Sequence, residues 1–509
     1  MKSSSRIILN TLFLYAGMTV TVCVSLFSTR WVLEALGNTD YGIYSLMANV
    51  VAMFSFLNIA MAAATQRYLS FAMGEGKEKR VRETFYYSVV MHLVIAAVVF
   101  CFLEFGGHWL VRYVLDIPAE RLSVAENLLH FVAGSCIFTI IAVPYEGMLN
   151  ARENMGIIAL INIIDSLLKF ATAAFLLHAK SDRLLLYGFL LMCVCACTFL
   201  MKYICCRCNY PEVAFRFHPV KDWKLFRNML SFASWNLIGT SCGVARNQGV
   251  AVLINLFWGV VTNAAYGLSQ QVYGMLTFFS NTIVRAVRPQ IVKSEGAGNR
   301  ERMLRLSVTT CKITFLMMAL LAIPLYIKLP FILKLWLDVY PDNTLMFCRG
   351  FLLVTLIYQL TIGLQIAVES TGRVRLLQMV VGSMHILALP AGYVCFSLGF
   401  PVRSIMACII AEECISLLLR LFIARHLTGL QVSRFLFRLL IPAISIVFAS
   451  YLLTKCCVFS FTSDWASLFA AFSCNTLILC LLSHLYLLST EERNIIKGLF
   501  VALKSKLAL

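Results

Sequence analysis

Arg246-Asn247-Gln248 interrupts a long apolar run, Met229 to Phe257, and a second run, Val261 to Val284, follows almost at once. This second run carries Tyr266-Gly267 near its start and leads into Arg285, Arg288, Pro289 and Gln290, then a polar loop with Gly296, Gly298, Arg300 and Arg302. Each run is long enough to cross a hydrocarbon core of about 30 Å as a helix. A basic side chain at mid-bilayer costs about 2.5 to 3.5 kcal/mol even on the lenient insertion scale, so Arg246 must face a partner or a wet cavity inside a helix bundle. Much of the same order occurs in the N-terminal half: Tyr41-Gly42, an apolar run, Gln66-Arg67, then Gly74, Gly76, Lys79, Arg80 and Arg82.

The rest of the chain is of the same kind. Of 509 residues, 60% are hydrophobic and 13% charged, outside the range of soluble domains. Charges and turn residues recur every ~20 to 30 residues. This predicts an all-α integral membrane protein with about 14 transmembrane helices: Ile7 to Phe27, Tyr41 to Ala63, Phe85 to Phe105, Leu122 to Val143, Met155 to His178, Leu184 to Ile204, Met229 to Phe257, Val261 to Val284, Leu306 to Ile327, Phe347 to Val368, Leu377 to Leu398, Ile405 to Ile423, Leu439 to Cys457 and Trp465 to Leu487. The alternating segments of about 10 residues that mark a transmembrane barrel do not occur. The first span is too long for a signal-peptide core and reads as an uncleaved anchor.

An even number of spans puts both termini on one side. Loops on that side hold about 30 lysines and arginines, Arg420 counted among them, against about 9 on the other, which makes the terminal side cytoplasmic. The net charge of +18 is mostly this topogenic excess and implies no nucleic acid. Gly147, Ala151, Glu153 and Gly156 match Gly363, Ala367, Glu369 and Gly372, all 216 residues apart. Six spans separate the equivalents, so the halves are expected to run parallel around a central cavity. The expected organisation is a six-helix lobe in 1–205, a cytoplasmic connection in 206–228, a second six-helix lobe in 229–425, two additional helices in 426–488 and a cytoplasmic amphipathic tail in 489–509.

Most of the nineteen cysteines lie inside spans, where they act as small apolar residues. Cys205-Cys206-Arg207-Cys208 sits at a cytoplasmic span end without the spaced ligands of a zinc site. No metal, cofactor or enzymatic constellation is expected.

Charges within spans are the candidate site. Lys169 has Asp165 four residues earlier on its own face, and Lys312 and Arg349 are near enough to span ends to snorkel. Arg246 has no acid within a turn or two. At 100° per residue, Asn236, Thr240, Gly243 and Asn247 fall within roughly 60°, with Arg246 at the edge. Gln270, Gly274, Thr277, Asn281, Arg285 and Arg288 form another such stripe. Two polar faces ending in arginine suit a cavity that accepts an anion, because guanidinium grips phosphate oxygens bidentately. The other reading ties Arg246 to carbonyls or to a distant acid such as Glu412. Under the cavity reading, Arg246→Ala removes function and leaves the protein in the membrane. Asp165 with its partner Lys169, Glu412 and Glu413 are candidates for coupling a proton or sodium ion, with helix packing as the other role. His92 reads as bonded to neighbouring backbone.

Arg246-Asn247-Gln248, Asn255-Leu256-Phe257-Trp258-Gly259, Asn263-Ala264-Ala265 and Arg288-Pro289-Gln290 resemble the O-antigen-type polysaccharide-export flippases of the multidrug/oligosaccharidyl-lipid/polysaccharide superfamily. Glu34-Ala35-Leu36-Gly37, Asp40-Tyr41-Gly42, Ala64-Thr65-Gln66-Arg67 and Pro144-Tyr145 extend the resemblance over the first eleven spans. The resemblance implies a two-lobed, MATE-like transporter of the bacterial cell inner membrane, working by alternating access. Its substrate would be an undecaprenyl-pyrophosphate-linked oligosaccharide for cell-surface polysaccharide, with H+ or Na+ and other polysaccharide-assembly proteins as further partners. It also implies that Arg246, and more loosely Arg285, Arg288 and Arg67, face the pyrophosphate. Tyr266 stands where many relatives carry a basic residue. A cation or drug antiporter of the same superfamily is the first rival, and a membrane-embedded polymerase or ligase the second. The first span lacks the buried acid of the former, and the outer loops are short for the latter.

Overall fold

The computed structural model describes residues 3–52, 55–113, 117–213, 222–337, 339–459, 463–488 and 492–493, and among these every regular element is helical. In lipid no water satisfies backbone N–H and C=O groups, so an apolar chain must bond them within each segment. The helices are α1 (Ser3–Ala52), α2 (Ser55–Gly74), α3 (Glu78–Tyr113), α4 (Leu122–Ala151), α5 (Met155–His178), α6 (Arg183–Asn209), α7 (Trp223–Gly296), α8 (Arg300–Leu337), α9 (Thr344–Gln359), α10 (Ile362–Ser370), α11 (Arg375–Ser397), α12 (Arg403–Thr428), α13 (Val432–Val458) and α14 (Asp464–Leu487). Among the described residues nine helices are long and apolar enough to cross a membrane, and α9 with α10 would make a tenth crossing. The protein is a multi-pass membrane protein. The 74-residue run α7 holds two of the fourteen expected spans, Met229 to Phe257 and Val261 to Val284, one on each side of its non-helical break at Gly259.

The chain forms two compact units, residues 8–237 and residues 238–509 with 1–7. In the first, Val32, Met47, Leu128, Leu129, Ala173 and Leu184 build a core shared by α1, α4, α5 and α6. In the second, Phe315, Leu364, Leu421, Leu439 and Leu479 do the same for α8, α10, α12, α13 and α14. Large side chains such as Phe105, Leu256 and Phe437 are left exposed, as an outer face solvated by lipid requires.

The two halves share their local turns. Gly37 bends α1 at φ 73°, ψ 174°, and Gly259 bends α7 at φ 77°, ψ 178°, a backbone region essentially confined to glycine. Gly76 and Gly298 again pair at φ 70° and 73°, and each of these turns is bridged by a glutamate and an arginine five residues apart, Glu75 with Arg80 and Glu295 with Arg300. Glu153 (φ 64°) and Gly372 (φ 80°) follow the ends of α4 and α10. Turn geometry therefore pairs Glu153 with Gly372, not with Glu369, and the register of the 216-residue match is off by three residues at this turn. Gly259→Ala is expected to cost about 1 to 3 kcal/mol, read as a lowered melting temperature in detergent; an unchanged melt would mean that the bend relaxes.

Three other expectations change, those for the tenth span, Arg420 and Lys312. The tenth span is not continuous, because the chain bends by 46° between α9 and α10 at Leu360-Thr361. Arg420 is not a loop charge but is buried within α12. The tail expected in 489–509 lies outside the described residues except for Glu492 and Arg493, and so does 214–221 of the connecting segment. Lys312 does not snorkel freely: its ammonium binds Glu492 at 3.0 Å and the Leu487 carbonyl at 3.3 Å. His92 bonds the Ser88 carbonyl at 2.7 Å, as its lone position suggested.

Candidate functional sites

In the unit 238–509, Arg246 on α7 meets α11 and α12. Its Nη1 donates to Glu412 Oε2 at 2.7 Å, and its Nε and Nη2 both reach Asn247 Oδ1 at 3.3 Å. The second carboxylate oxygen, Glu412 Oε1, lies 3.0 Å from His385 Nδ1 and accepts from Ser416 Oγ at 2.9 Å. Both members of the ion pair are withdrawn from solvent, with side chains 7% and 5% exposed. Gln270 donates to the Tyr266 hydroxyl at 2.7 Å, and that hydroxyl reaches the Asn247 carbonyl at 3.5 Å. Of the two stripes of α7, Arg246, Asn247 and Gln270 join this network, and the distant acid is the partner that Arg246 takes.

This corrects the open-cavity expectation. Arg246 is not an unpaired charge, so its removal leaves Glu412 short of a partner instead of relieving a desolvation cost. Several of the other predicted anion ligands are engaged as well. Arg288 pairs with Glu369 at 3.1 Å. The Arg67 guanidinium is buried among the rings of Tyr68 and Phe71, 4.4 and 4.6 Å from their centroids. Asn236 falls in the other unit and donates to the Phe232 carbonyl at 3.0 Å. Asn281 is exposed and Arg285 half-buried. The next residue on α12, Glu413, pairs with Arg420 at 2.6 Å, and Arg420 also reaches Thr361 Oγ1 at 3.3 Å and lies over the Tyr358 ring. His385 was missed from sequence, although a lone histidine inside a span is the signal that finds it.

The unit 8–237 holds a cavity of about 600 Å³, lined by Thr21, Ser28, Tyr41, Tyr44, Asn58, Ser135, Thr139, Asp165, Ser166, Lys169 and Tyr187 among others. Asp165 is committed within it. Lys169 binds Asp165 Oδ2 at 2.8 Å, as the four-residue spacing predicted, and Thr198 donates to Oδ1 at 3.1 Å. Among the described residues Asn58 Oδ1 has no hydrogen-bond partner. Tyr44 and Tyr187 meet edge to face at 4.8 Å, and Arg121, paired with both Asp40 and Asp182, ties α1 just past its bend at Gly37 to the starts of α4 and α6. The cavity therefore offers hydroxyls, an amide, aromatic rings and one self-neutralised ion pair.

The fold is the one seen in MATE transporters. A crystal structure of a MATE transporter in the bent conformation superposes with TM-score 0.73 at 12% identity, over 85% of this chain and 96% of that one. An outward-facing multidrug resistance MATE family transporter of the MOP superfamily gives 0.72 at 12% identity, over 84% and 96%. A MOP superfamily transporter from Pyrococcus furiosus, described as having reverse polarity of its binding pocket, gives 0.68 at 11% identity over 84% and 96%. Within this fold, residues 15–175 match the MatE family model. In sequence the chain is 20% identical over 277 residues to the "Putative O-antigen transporter" of Salmonella typhi, a match that spans 52% of this chain and 60% of that protein.

Proposed function

We propose that this protein moves a polyprenyl-pyrophosphate-linked oligosaccharide from the cytoplasmic to the periplasmic leaflet of a bacterial inner membrane, by alternating access between two parallel lobes and with both termini cytoplasmic. The observation that carries this reading is the neutral, hydroxyl-rich cavity of residues 8–237. A site for cations needs an uncompensated acid, and Asp165 is already held by Lys169 at 2.8 Å. Tyrosine faces, serine and threonine hydroxyls and the unpartnered Asn58 oxygen suit the alternating apolar and hydroxyl faces of sugars. The sequence relation to a protein named as an O-antigen transporter supports the same substrate class. In this reading the pyrophosphate competes with Glu412 for Arg246, so the anion site is made during transport by exchange of partners.

Expression in a strain lacking its own flippase tests the proposal. The wild type should restore surface polysaccharide, and Tyr44→Ala should lower export about tenfold, equivalent to about 1.4 kcal/mol of lost binding. Tyr44→Phe should keep most of it. No restoration by well-expressed wild type would overturn the reading.

A second reading, a cation or drug antiporter, rests on one observation: two buried acids, Glu412 and Glu413, lie next to each other on α12, and release from their partners Arg246 and Arg420 would free them for a cation. It expects drug resistance on expression, and loss of that resistance in Glu413→Gln with no change in surface polysaccharide.

A further inference from the structure

Glu104, His108 and His130 bring one ligand atom each to within 4.8 Å of one another in the unit 8–237. Neither site described above uses them. We propose that they form a binding site for a divalent transition metal of the zinc type, joining α3 to α4.

The local backbone prepares the site. A π-helical turn, Leu103–Gly107, is set into α3 immediately before His108, and such turns are rare and concentrated at functional positions. His108 Nδ1 lies 2.6 Å from the Glu104 carbonyl. That bond places the proton on Nδ1 and leaves the Nε2 lone pair for a metal, the arrangement in which a ligating histidine donates its other nitrogen to a backbone carbonyl. From α4, His130 Nδ1 reaches the Glu104 carboxylate at 2.8 Å, and the two imidazole rings stand 5.0 Å apart. A metal would take the place of the hydrogen bond between His130 and Glu104.

Two histidines and one carboxylate are a frequent donor set for zinc, and with a water in the fourth position they complete its tetrahedron. Bonds to zinc are about 2.0 to 2.2 Å, so the three side chains must close in from the present spacing when the metal binds. Glu126, one turn before His130 on α4, is neutralised by Arg112 and adds no net charge to the site. Glu104 and His108 are partly buried while His130 is about half exposed, so the cluster is shaped on one side by the helices and reachable from the other. The charge asymmetry assigns this end of α3 to the outside of the membrane, where zinc reaches it without entering the cell. Because the ligands come from separate helices, bound metal would hold the ends of α3 and α4 together and stabilise the folded unit.

The test uses the full-length protein, purified in detergent without a histidine tag and titrated with Zn2+ and then with Co2+. The expected result is saturable binding of one Zn2+ per chain with a rise in melting temperature, and a Co2+ visible spectrum of tetrahedral type. His108→Ala and His130→Asn should each weaken binding about 100-fold or more. His130→Asn retains a hydrogen-bond donor toward Glu104, so its metal-free melt separates lost ligation from lost folding. His178→Ala, remote from the cluster, should bind as the wild type does. No saturable binding by the wild type, or equal affinity in His108→Ala and His130→Asn, would overturn the proposal.

Discussion

Glu412→Ala is expected to destabilise the protein by about 3 to 5 kcal/mol, because it leaves the Arg246 guanidinium buried without its counter-charge. The pair is 2.7 Å apart and both side chains are withdrawn from solvent. Asn247 reaches the Nε side of the fork but carries no charge to replace the carboxylate. Arg246→Ala should cost less, since His385 and Ser416 remain on Glu412. The double variant Arg246→Met/Glu412→Leu should recover much of the loss, as replacing both members of a buried pair with apolar groups is often near neutral. Thermal melts of these proteins in detergent, with Arg246→Ala/Glu412→Ala added to close a double-mutant cycle with the two single variants, measure the coupling. If Glu412→Ala melts with the wild type, Arg246 is hydrated in solution and the closed pair is not its resting state.

The second large effect is expected at Arg420→Ala, again about 3 to 5 kcal/mol. Arg420 is only 2% exposed and binds Glu413 at 2.6 Å. It also reaches Thr361, in the break between α9 and α10, and covers the Tyr358 ring before that break. The residue therefore fixes a bend as well as a charge. Its loss should make the chain between Tyr358 and Thr361 more open to hydrogen exchange than the helices on either side, a pattern that cavity formation alone would not give. Arg420→Lys should keep the charge but lose part of the stability, because an ammonium cannot repeat the planar contact with the ring and its fork of donors. Uniform exchange along α9 and α10 in Arg420→Ala would remove the hinge-fixing role.

The expectation of free cavity arginines failed for a physical reason. A helical wheel reports which residues share a face within one segment, and the acids that meet Arg246 and Arg288 lie elsewhere in the chain, at 412 on α12 and 369 on α10. The converse case is Lys169, whose partner is four residues away on the same helix; there local spacing alone predicted the pair that forms.

What the sequence by itself determined is the membrane character, the helical class and the positions of the turns. Lipid leaves a polar backbone no solvent, so long apolar runs must be helices, and glycines at 37, 76, 259 and 298 mark where the chain takes conformations closed to other residues. The tertiary structure alone decided which buried charges are paired, that Arg420 lies inside α12, that the tenth span is bent, and that Glu104, His108 and His130 converge. All of these depend on packing between helices, and a membrane constrains the length and polarity of a segment far more tightly than it constrains which faces meet.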